Sequence, residues 1–149
     1  MRPRGTVATL LLTAFLLALA AGSSKATTGG KELKHKYYLL AETGHKPMCS
    51  VDVHINNEHI LRVGPNVKKE VLEVTQSMKA GENSVSFEAQ AIPGEGDDYS
   101  TVNIQIGEGE FVEDRLAWEA VKVSYTVSRA SIKKEKKDVL VQTFTFQAE

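Results

Sequence analysis

The chain of 149 residues contains a single cysteine, Cys49. One cysteine excludes an intramolecular disulfide, so burial alone must hold the folded domain together. Cys49 belongs to a stretch that is apolar at every second position. We therefore interpret it as an inert core residue and not as a reactive thiol.

Apolar runs long enough to cross a bilayer are also lacking. The longest apolar run, 7–21, is uncharged and has 15 residues, whereas a transmembrane helix needs roughly 20. It follows Arg2 and Arg4 and precedes small residues, the pattern of a secretory signal peptide. We predict a signal peptide over residues 1–20, with cleavage possible up to residue 26. The expected product is secreted or periplasmic and has no membrane span.

An excess of positive charge is missing. The chain has 18 basic and 19 acidic residues, and loss of residues 1–20 with their two arginines leaves 16 basic residues against the same 19 acidic ones. This mildly acidic balance argues against a nucleic-acid partner, because such a partner requires a basic face.

Sequence signatures of catalysis are absent as well. The chain has no G-x-S-x-G, H-E-x-x-H, C-x-x-C or phosphate-binding glycine loop, so nucleophilic, zinc-hydrolytic, redox and nucleotide chemistry have no starting point. A small sandwich also rarely offers the cleft that the paired carboxylates of a glycosidase need. We therefore predict a protein that is not an enzyme and that binds instead of catalysing.

Short stretches that are apolar at every second position dominate the chain after residue 33. Such alternation places the apolar side chains on one face of a strand. The clearest stretches are 49–55, 85–91, 102–106 and 121–127. Because turn residues separate them, they predict an all-β fold, an antiparallel β-sandwich of about seven to eight strands. We place this single domain at 34–149, after a flexible leader at 21–33.

The stretch VKKEVLEVTQSM fits two local structures. Its apolar residues Val67, Val71, Val74 and Met78 recur at helical spacing. Its β-branched residues instead favour a strand. We predict a strand that is followed by a short helical turn over residues 74–78.

The segments CSVDVHINNEHILRV and LEVTQSMKAGENSVSFEA contain a strand, an asparagine hairpin, a second strand, and a turn of the form V-T-x-x-L-x-x-G-x-N. The matching positions are Val51, Val53, Ile55, Asn56, Val74, Thr75, Met78, Gly81 and Asn83. Over residues 49–91 this pattern resembles the jelly-roll, galactose-binding-like domains of β-galactosidase-type glycoside hydrolases. The resemblance implies an antiparallel β-sandwich of jelly-roll type and a carbohydrate ligand.

Three residues of this turn have physical roles that do not depend on the family. Thr75 can end a strand by bonding local backbone, and Met78 can fill the core. Gly81 allows the positive φ that turns the chain into the next strand. We therefore interpret GEN first as the entry to a strand.

Aromatic side chains are the candidates for stacking on sugar rings, and we select Trp118, Tyr99 and Phe111. Trp118 is out of phase with the apolar set that starts at Val121, so it can point to the opposite face. The alternative for Trp118 is a place in the core, where a lone tryptophan is more often found.

Acidic and histidine residues are the candidates for a metal. Glu95, Asp97 and Asp98 lie in the glycine-bearing loop PGEGDDYS, and oxygen ligands of this kind suit calcium, the one cofactor we consider. The alternative is a solvated turn. His54 and His59 flank a hairpin turn near Asp52, but we interpret these three as an exposed polar face, because metal sites usually need more convergent ligands.

Two functions of different classes remain open. The first is an exported, non-catalytic module that recognises a carbohydrate or a cell-envelope polymer. The alternative is a protein–protein interaction module that uses an exposed edge strand or sheet face to dock a partner or to pair with itself. An aromatic ring beside a concave sheet face would favour the first.

Overall fold

The computed structural model describes residues 32–149. The predicted signal peptide and nearly all of the predicted leader lie outside the described residues. The described residues include no helix with the length and apolar character that a membrane crossing requires.

Residues 32–149 form eight strands, a 3-10 turn and one short α-helix. The strands are β1 (Tyr37–Thr43), β2 (Cys49–Ile55), β3 (Glu58–Val63), β4 (Lys69–Glu73), β5 (Gly81–Ala91), β6 (Thr101–Val112), β7 (Arg115–Ser128) and β8 (Val139–Ala148). The 3-10 turn is Thr75–Ser77, and helix α1 is Arg129–Lys134. Ser128 and Ser131 form a reciprocal capping box at the start of α1, which satisfies backbone donors that the first turn leaves free.

The strands are arranged in two antiparallel sheets of four. The first sheet has the order β4-β1-β6-β7 and the second has the order β3-β2-β5-β8. The predicted all-β, antiparallel β-sandwich is thus confirmed. Only β2–β3 and β6–β7 are hairpins within one sheet, so the other five connections cross between the sheets, and β1 and β8 lie in different sheets.

The core lies between the two sheets and consists mainly of the side chains that alternation points inward, with Ile132 of helix α1 beside them. Its largest fully buried members are Tyr37, Phe87, Leu39, Ile55, Ile104, Ile106 and Ile132. Phe87 and Tyr125 stack with ring centroids 4.4 Å apart and join the two sheets. Cys49 is fully buried, as predicted, and burial raises the pKa of its thiol to about 11. The thiol therefore stays protonated at neutral pH.

The segment with two possible structures is a strand followed by a turn, as predicted. β4 ends at Glu73, the 3-10 turn follows at Thr75, and Met78 is buried in the core. Gly81 has a φ of 95°, a conformation that only glycine adopts without strain. The predicted local role of Thr75 is wrong, because its Oγ1 accepts a hydrogen bond from the backbone N–H of Tyr37, 2.9 Å away on β1.

The hairpin between β2 and β3 is closed by Asn56 and Asn57, with φ values of 50° and 69°. Two consecutive positive φ angles are the pattern of a tight hairpin turn that matches strand twist. His54 and His59 lie opposite each other with ring centroids 5.2 Å apart. His59 Nε2 and Asp52 Oδ1 are 3.2 Å apart.

Candidate functional site

The outer face of the first sheet carries a groove that crosses all four of its strands. On β1, Tyr37, Leu39 and Ala41 point into the core, so the residues between them point outward. The same alternation turns the polar residues of β6 and β7 outward, because their apolar neighbours are buried. Outward residues of β1, β6 and β7 line two depressions, and Leu40 lines both. The second depression is also lined by Lys69 and Val71 of β4.

The polar half of this groove is a depression of about 250 Å³ lined by Leu40, Glu42, Asn103, Gln105, Ser124 and Thr126. The Asn103 amide is held in place from two sides. Its Oδ1 accepts a hydrogen bond from Thr126 Oγ1 at 2.8 Å, and its Nδ2 donates to Thr101 Oγ1 at 3.2 Å. A fixed amide beside the hydroxyls of Ser124 and Thr126 presents hydrogen-bond donors and acceptors in a defined geometry.

The apolar half is a depression of about 340 Å³ lined by Leu40, Lys69, Val71, Phe111, Asp114, Arg115 and Leu116. Phe111 is 50% exposed. Its ring meets Tyr38 edge to face, with centroids 5.4 Å apart. Tyr38 points outward yet is only 5% exposed, so packed side chains hold the aromatic end of the groove. We call the two halves together the outer-sheet groove.

The outer-sheet groove places hydrogen-bonding groups beside an aromatic ring. Two amides, two hydroxyls and one carboxylate line the polar half, and an exposed ring stands at the apolar end. Glu42 is paired with Lys69, with Glu42 Oε1 and Lys69 Nζ 2.9 Å apart. The two depressions meet at Leu40, so the polar groups and the aromatic ring lie on one continuous surface.

The three predicted sugar-stacking residues are not brought together. Phe111 lines the outer-sheet groove. Trp118 is partly buried on β7 opposite Gly109 and does not line either depression. Tyr99 is 80% exposed, but it precedes β6 whereas Phe111 lies near the end of that strand, so the two are at opposite ends of the sandwich.

Sequence reasoning missed the polar side chains of the groove. Asn103 and Gln105 are the polar positions of the alternating stretch TVNIQI, and Ser124 and Thr126 are those of KVSYTV. The signal was present, because alternation predicts which residues point outward. It does not predict that β6 and β7 lie side by side, and this adjacency is what assembles the four residues.

The predicted calcium loop is organised by an arginine. Arg129 is buried and donates from Nη1 to the carbonyl oxygens of Ile92 at 2.9 Å and Gly94 at 2.7 Å. Nη2 donates to the carbonyl oxygen of Gly96 at 3.3 Å. Arg129 also bonds the carboxylate of Asp98. A guanidinium with five donors thus holds the whole loop.

The three predicted calcium ligands differ in the contacts that they already make within the protein. The Asp98 carboxylate also pairs with Lys133 Nζ at 2.8 Å, and this hydrogen bond, with those from Arg129, lowers the pKa of Asp98. Asp97 Oδ1 accepts a hydrogen bond from the backbone N–H of Tyr99 at 2.8 Å. Glu95 is exposed. Two cations already balance Asp98, so calcium binding at this loop stays a prediction without support from the geometry.

A second polar cluster lies at the end of the sandwich where β1 begins. The ligand atoms of His35, Glu108 and Glu119 all lie within 4.8 Å of one another. The β6–β7 register shifts twice here, so that Glu119 and Lys122 are left out of the ladder. Such bulges re-aim side chains, and these two point to the cluster. Gly107 and Gly109 stand at the two register shifts, and glycine inside a strand often marks a bulge. The sequence does not show which side chains a bulge brings together, so the cluster was not predicted.

The charges of this cluster are already balanced within the protein. Glu108 Oε1 lies 3.0 Å from Lys122 Nζ and accepts a hydrogen bond from Tyr37 Oη at 2.7 Å. Burial alone would raise the pKa of Glu108, but the hydrogen bonds from Tyr37 and Lys122 outweigh burial and lower it. His35 Nδ1 lies 3.2 Å from Glu119 Oε2. We interpret the cluster as an ion-pair network that closes this end of the sandwich.

We predict a loss of stability at high pH. Burial, with the hydrogen bond to Glu108, raises the pKa of Tyr37 from 10.0 to about 12, and burial raises that of Tyr125 from 10.0 to about 12. Because the unfolded chain releases these protons first, the stabilisation is complete below about pH 10 and disappears as the pH rises to 12. Urea unfolding at a series of pH values between about 10 and 12 measures this loss of unfolding free energy.

Matched variants identify the tyrosine that is responsible. Tyr37→Phe should make the decline with pH shallower, whereas Tyr99→Phe should leave it unchanged, because Tyr99 is exposed. Equal declines in the wild type and Tyr37→Phe would contradict a contribution from Tyr37.

Comparison with known proteins does not assign the chain to a family. No protein-family model, curated protein or solved structure matches it. The resemblance to galactose-binding-like domains therefore stays a prediction. The evidence for function is the arrangement of residues in the outer-sheet groove.

Proposed function

We propose that this protein is an exported, non-catalytic binding module that recognises a carbohydrate or a cell-envelope polysaccharide in the outer-sheet groove. The observation that carries the proposal is a row of amides and hydroxyls next to an exposed aromatic ring on one sheet face. A larger hollow, of about 650 Å³ between the β1–β2 and β3–β4 loops, has no phenylalanine, tyrosine or tryptophan in its lining.

The polar half of the groove has the chemistry to bind sugar hydroxyls. A sugar hydroxyl both donates and accepts a hydrogen bond, and the Asn103 and Gln105 amides do the same through their two ends. Ser124 and Thr126 add hydroxyls at the exposed edge strand β7. Since Thr126 and Thr101 fix Asn103 before any ligand arrives, little ordering cost is left for binding.

The apolar half supplies the stacking surface. Phe111 is half exposed and is supported from the side by Tyr38. A supported ring offers contact area without losing side-chain freedom on binding. The groove is shallow, and its polar groups lie in a row along the strands. This geometry fits several consecutive units of a polymer better than one buried monosaccharide.

Binding to a glycan and cell-wall polysaccharide array tests the proposal. We expect Phe111→Ala and Gln105→Ala each to weaken binding at least about tenfold, equivalent to about 1.4 kcal/mol. Tyr99→Ala is the matched control, because it also removes an exposed aromatic ring, and it should bind like the wild type. Circular dichroism confirms that each variant is folded.

Three results would overturn the proposal. Absence of binding to every polysaccharide, with and without calcium, would favour the alternative of a protein-interaction module. Specific binding that Phe111→Ala and Gln105→Ala leave intact would place the site elsewhere. A loss in Tyr99→Ala alone would move it to the loop before β6.

A further inference from the structure

The β8 strand forms one edge of the second sheet, and it lacks the features that usually protect edges. Within residues 32–149 no strand pairs with its outer side. It has ten residues, VLVQTFTFQA, with no charge and no proline. Long, regular and uncharged edge strands pair readily with other strands, and natural proteins normally block them with lysine, proline or bulges.

The other three edges of the described sandwich carry such protection. In β4 three of the five residues of KEVLE are charged, and β3 carries Glu58 and Arg62 among its six residues. β7 is long, but it carries charged residues and two register shifts. β8 therefore differs from every other edge in this part of the chain.

The side chains of β8 also favour pairing of this edge with another strand. Its outward face carries Val139, Val141, Thr143, Thr145 and Gln147, and Val141 is 57% exposed. Phe144 and Phe146 on the inner face are only partly buried. β-Branched residues on one strand pair well with β-branched residues on a neighbouring strand.

We propose that β8 pairs antiparallel with β8 of a second copy of this chain, joining the second sheets of two copies into one eight-stranded sheet. A two-fold axis at Thr143 sets Val141 of each copy opposite Thr145 of the other. Every opposed pair between residues 139 and 147 is then neutral. Nine paired residues in each copy form about nine backbone hydrogen bonds, and the symmetric contact leaves neither β8 edge unpaired.

Charge at the ends of β8 selects this antiparallel arrangement. The basic run KKEKK, which ends at Lys137, precedes the strand, and Glu149 follows it. With the axis at Thr143, Lys137 of each copy lies opposite Glu149 of the other. Parallel pairing would instead place one basic run against the other, and like charges directly opposite each other are destabilising. A second copy therefore complements β8 in shape and in charge.

The proposed pairing goes beyond the proposed function and is independent of it. The outer-sheet groove lies on the first sheet, whereas β8 belongs to the second sheet. A dimer would therefore present two grooves, and one polysaccharide chain could engage both. Linked sites raise apparent affinity without any new contact.

Sedimentation velocity of the exported protein over a concentration series tests the pairing. The wild type should form dimers, and Thr143→Lys should raise the dissociation constant at least about tenfold, because two ammonium groups then face each other. Val121→Lys is the matched control, since Val121 is an exposed valine on the β7 edge. A monomeric wild type, or equal weakening by both variants, would overturn the proposal.

Cross-linking tests the register. Residues opposite each other in an antiparallel pair have Cα atoms about 4.5 to 5.5 Å apart, a separation that suits a disulfide. Thr143→Cys should give a disulfide-linked dimer under mild oxidation, whereas Val121→Cys should not. The native Cys49 is buried and should not form an intermolecular disulfide. Failure of Thr143→Cys to cross-link, or equal cross-linking of the two variants, would contradict pairing about Thr143.

Discussion

Replacing Asn83 with alanine is expected to lower the free energy of unfolding by about 4 kcal/mol. Asn83 is fully buried at the start of β5. Its Oδ1 accepts from the backbone N–H of Lys79 at 2.9 Å and from Asn56 Nδ2 at 2.8 Å. Its Nδ2 donates to the carbonyl oxygens of Lys79 at 2.7 Å and Gly81 at 3.0 Å.

The large effect follows from what the truncation leaves behind. The Asn83 amide uses all its hydrogen-bonding positions, so alanine removes four hydrogen bonds. Four polar groups then lose a partner: the Lys79 N–H, the Asn56 side-chain amide, and the carbonyl groups of Lys79 and Gly81. Asn56 also donates to the Ser77 carbonyl and accepts from the Ser84 N–H. Loss of the Asn83 amide therefore also weakens the hydrogen bonding of the β2–β3 turn.

Urea unfolding measures the effect, with Asn103→Ala as the control. Asn103 is also a strand asparagine, but water reaches its groove, and we expect a loss below about 1 kcal/mol. Asn83→Asp should be unstable at neutral pH, because its carboxylate would face two carbonyl oxygens. The pKa of that carboxyl would be raised in the fold, so stability should return as the pH falls. Similar losses for Asn83→Ala and Asn103→Ala would contradict this account.

Arg129→Ala is expected to destabilise the protein by about 3 kcal/mol and to release the loop between β5 and β6. The side chain is almost fully buried and bonds the carbonyl oxygens of Ile92, Gly94 and Gly96. Without the guanidinium these carbonyl groups lose their donor. Arg129→Lys should rescue little, because one ammonium cannot reproduce the fork of the guanidinium.

Lys133→Ala is the matched control for Arg129. Lys133 bonds the same carboxylate, that of Asp98, but it is exposed, and exposed ion pairs contribute little. Cleavage at Glu95 by a glutamate-specific protease reports on the loop. Arg129→Ala should be cut faster than the wild type and Lys133→Ala at the wild-type rate. Unchanged cleavage of Arg129→Ala would show that other contacts hold the loop.

The elements that sequence analysis predicted well are local. The alternation of Val51, Val53 and Ile55 predicted a strand with one buried face, and the strand is there. The asparagine pair predicted the β2–β3 hairpin, and Gly81 predicted a positive φ. Each of these follows from a residue and its nearest neighbours, because side-chain direction and allowed backbone angles are local properties.

The elements that were missed depend on distant residues. Trp118 was judged by its phase with Val121, but one register shift, at Glu119, lies between them. A second shift, at Lys122, separates Val121 from Val123, so Val121 is exposed and not inward as predicted. Thr75 bonds β1 and not its own neighbourhood. The amide of Asn83 was part of a recognised motif, yet its link to Asn56 became visible only when β5 lay next to β2.

By itself the sequence determined that this chain forms an antiparallel β-sandwich, which residues face the core, and that familiar catalytic motifs are absent. Only the tertiary structure decided the strand order, the assembly of the groove from β1, β4, β6 and β7, and the uncovered edge at β8. The physical reason is that alternation selects the buried face of each strand, whereas backbone hydrogen bonds are the same in every strand. They do not specify a partner, so pairing is settled by how all the buried faces pack together.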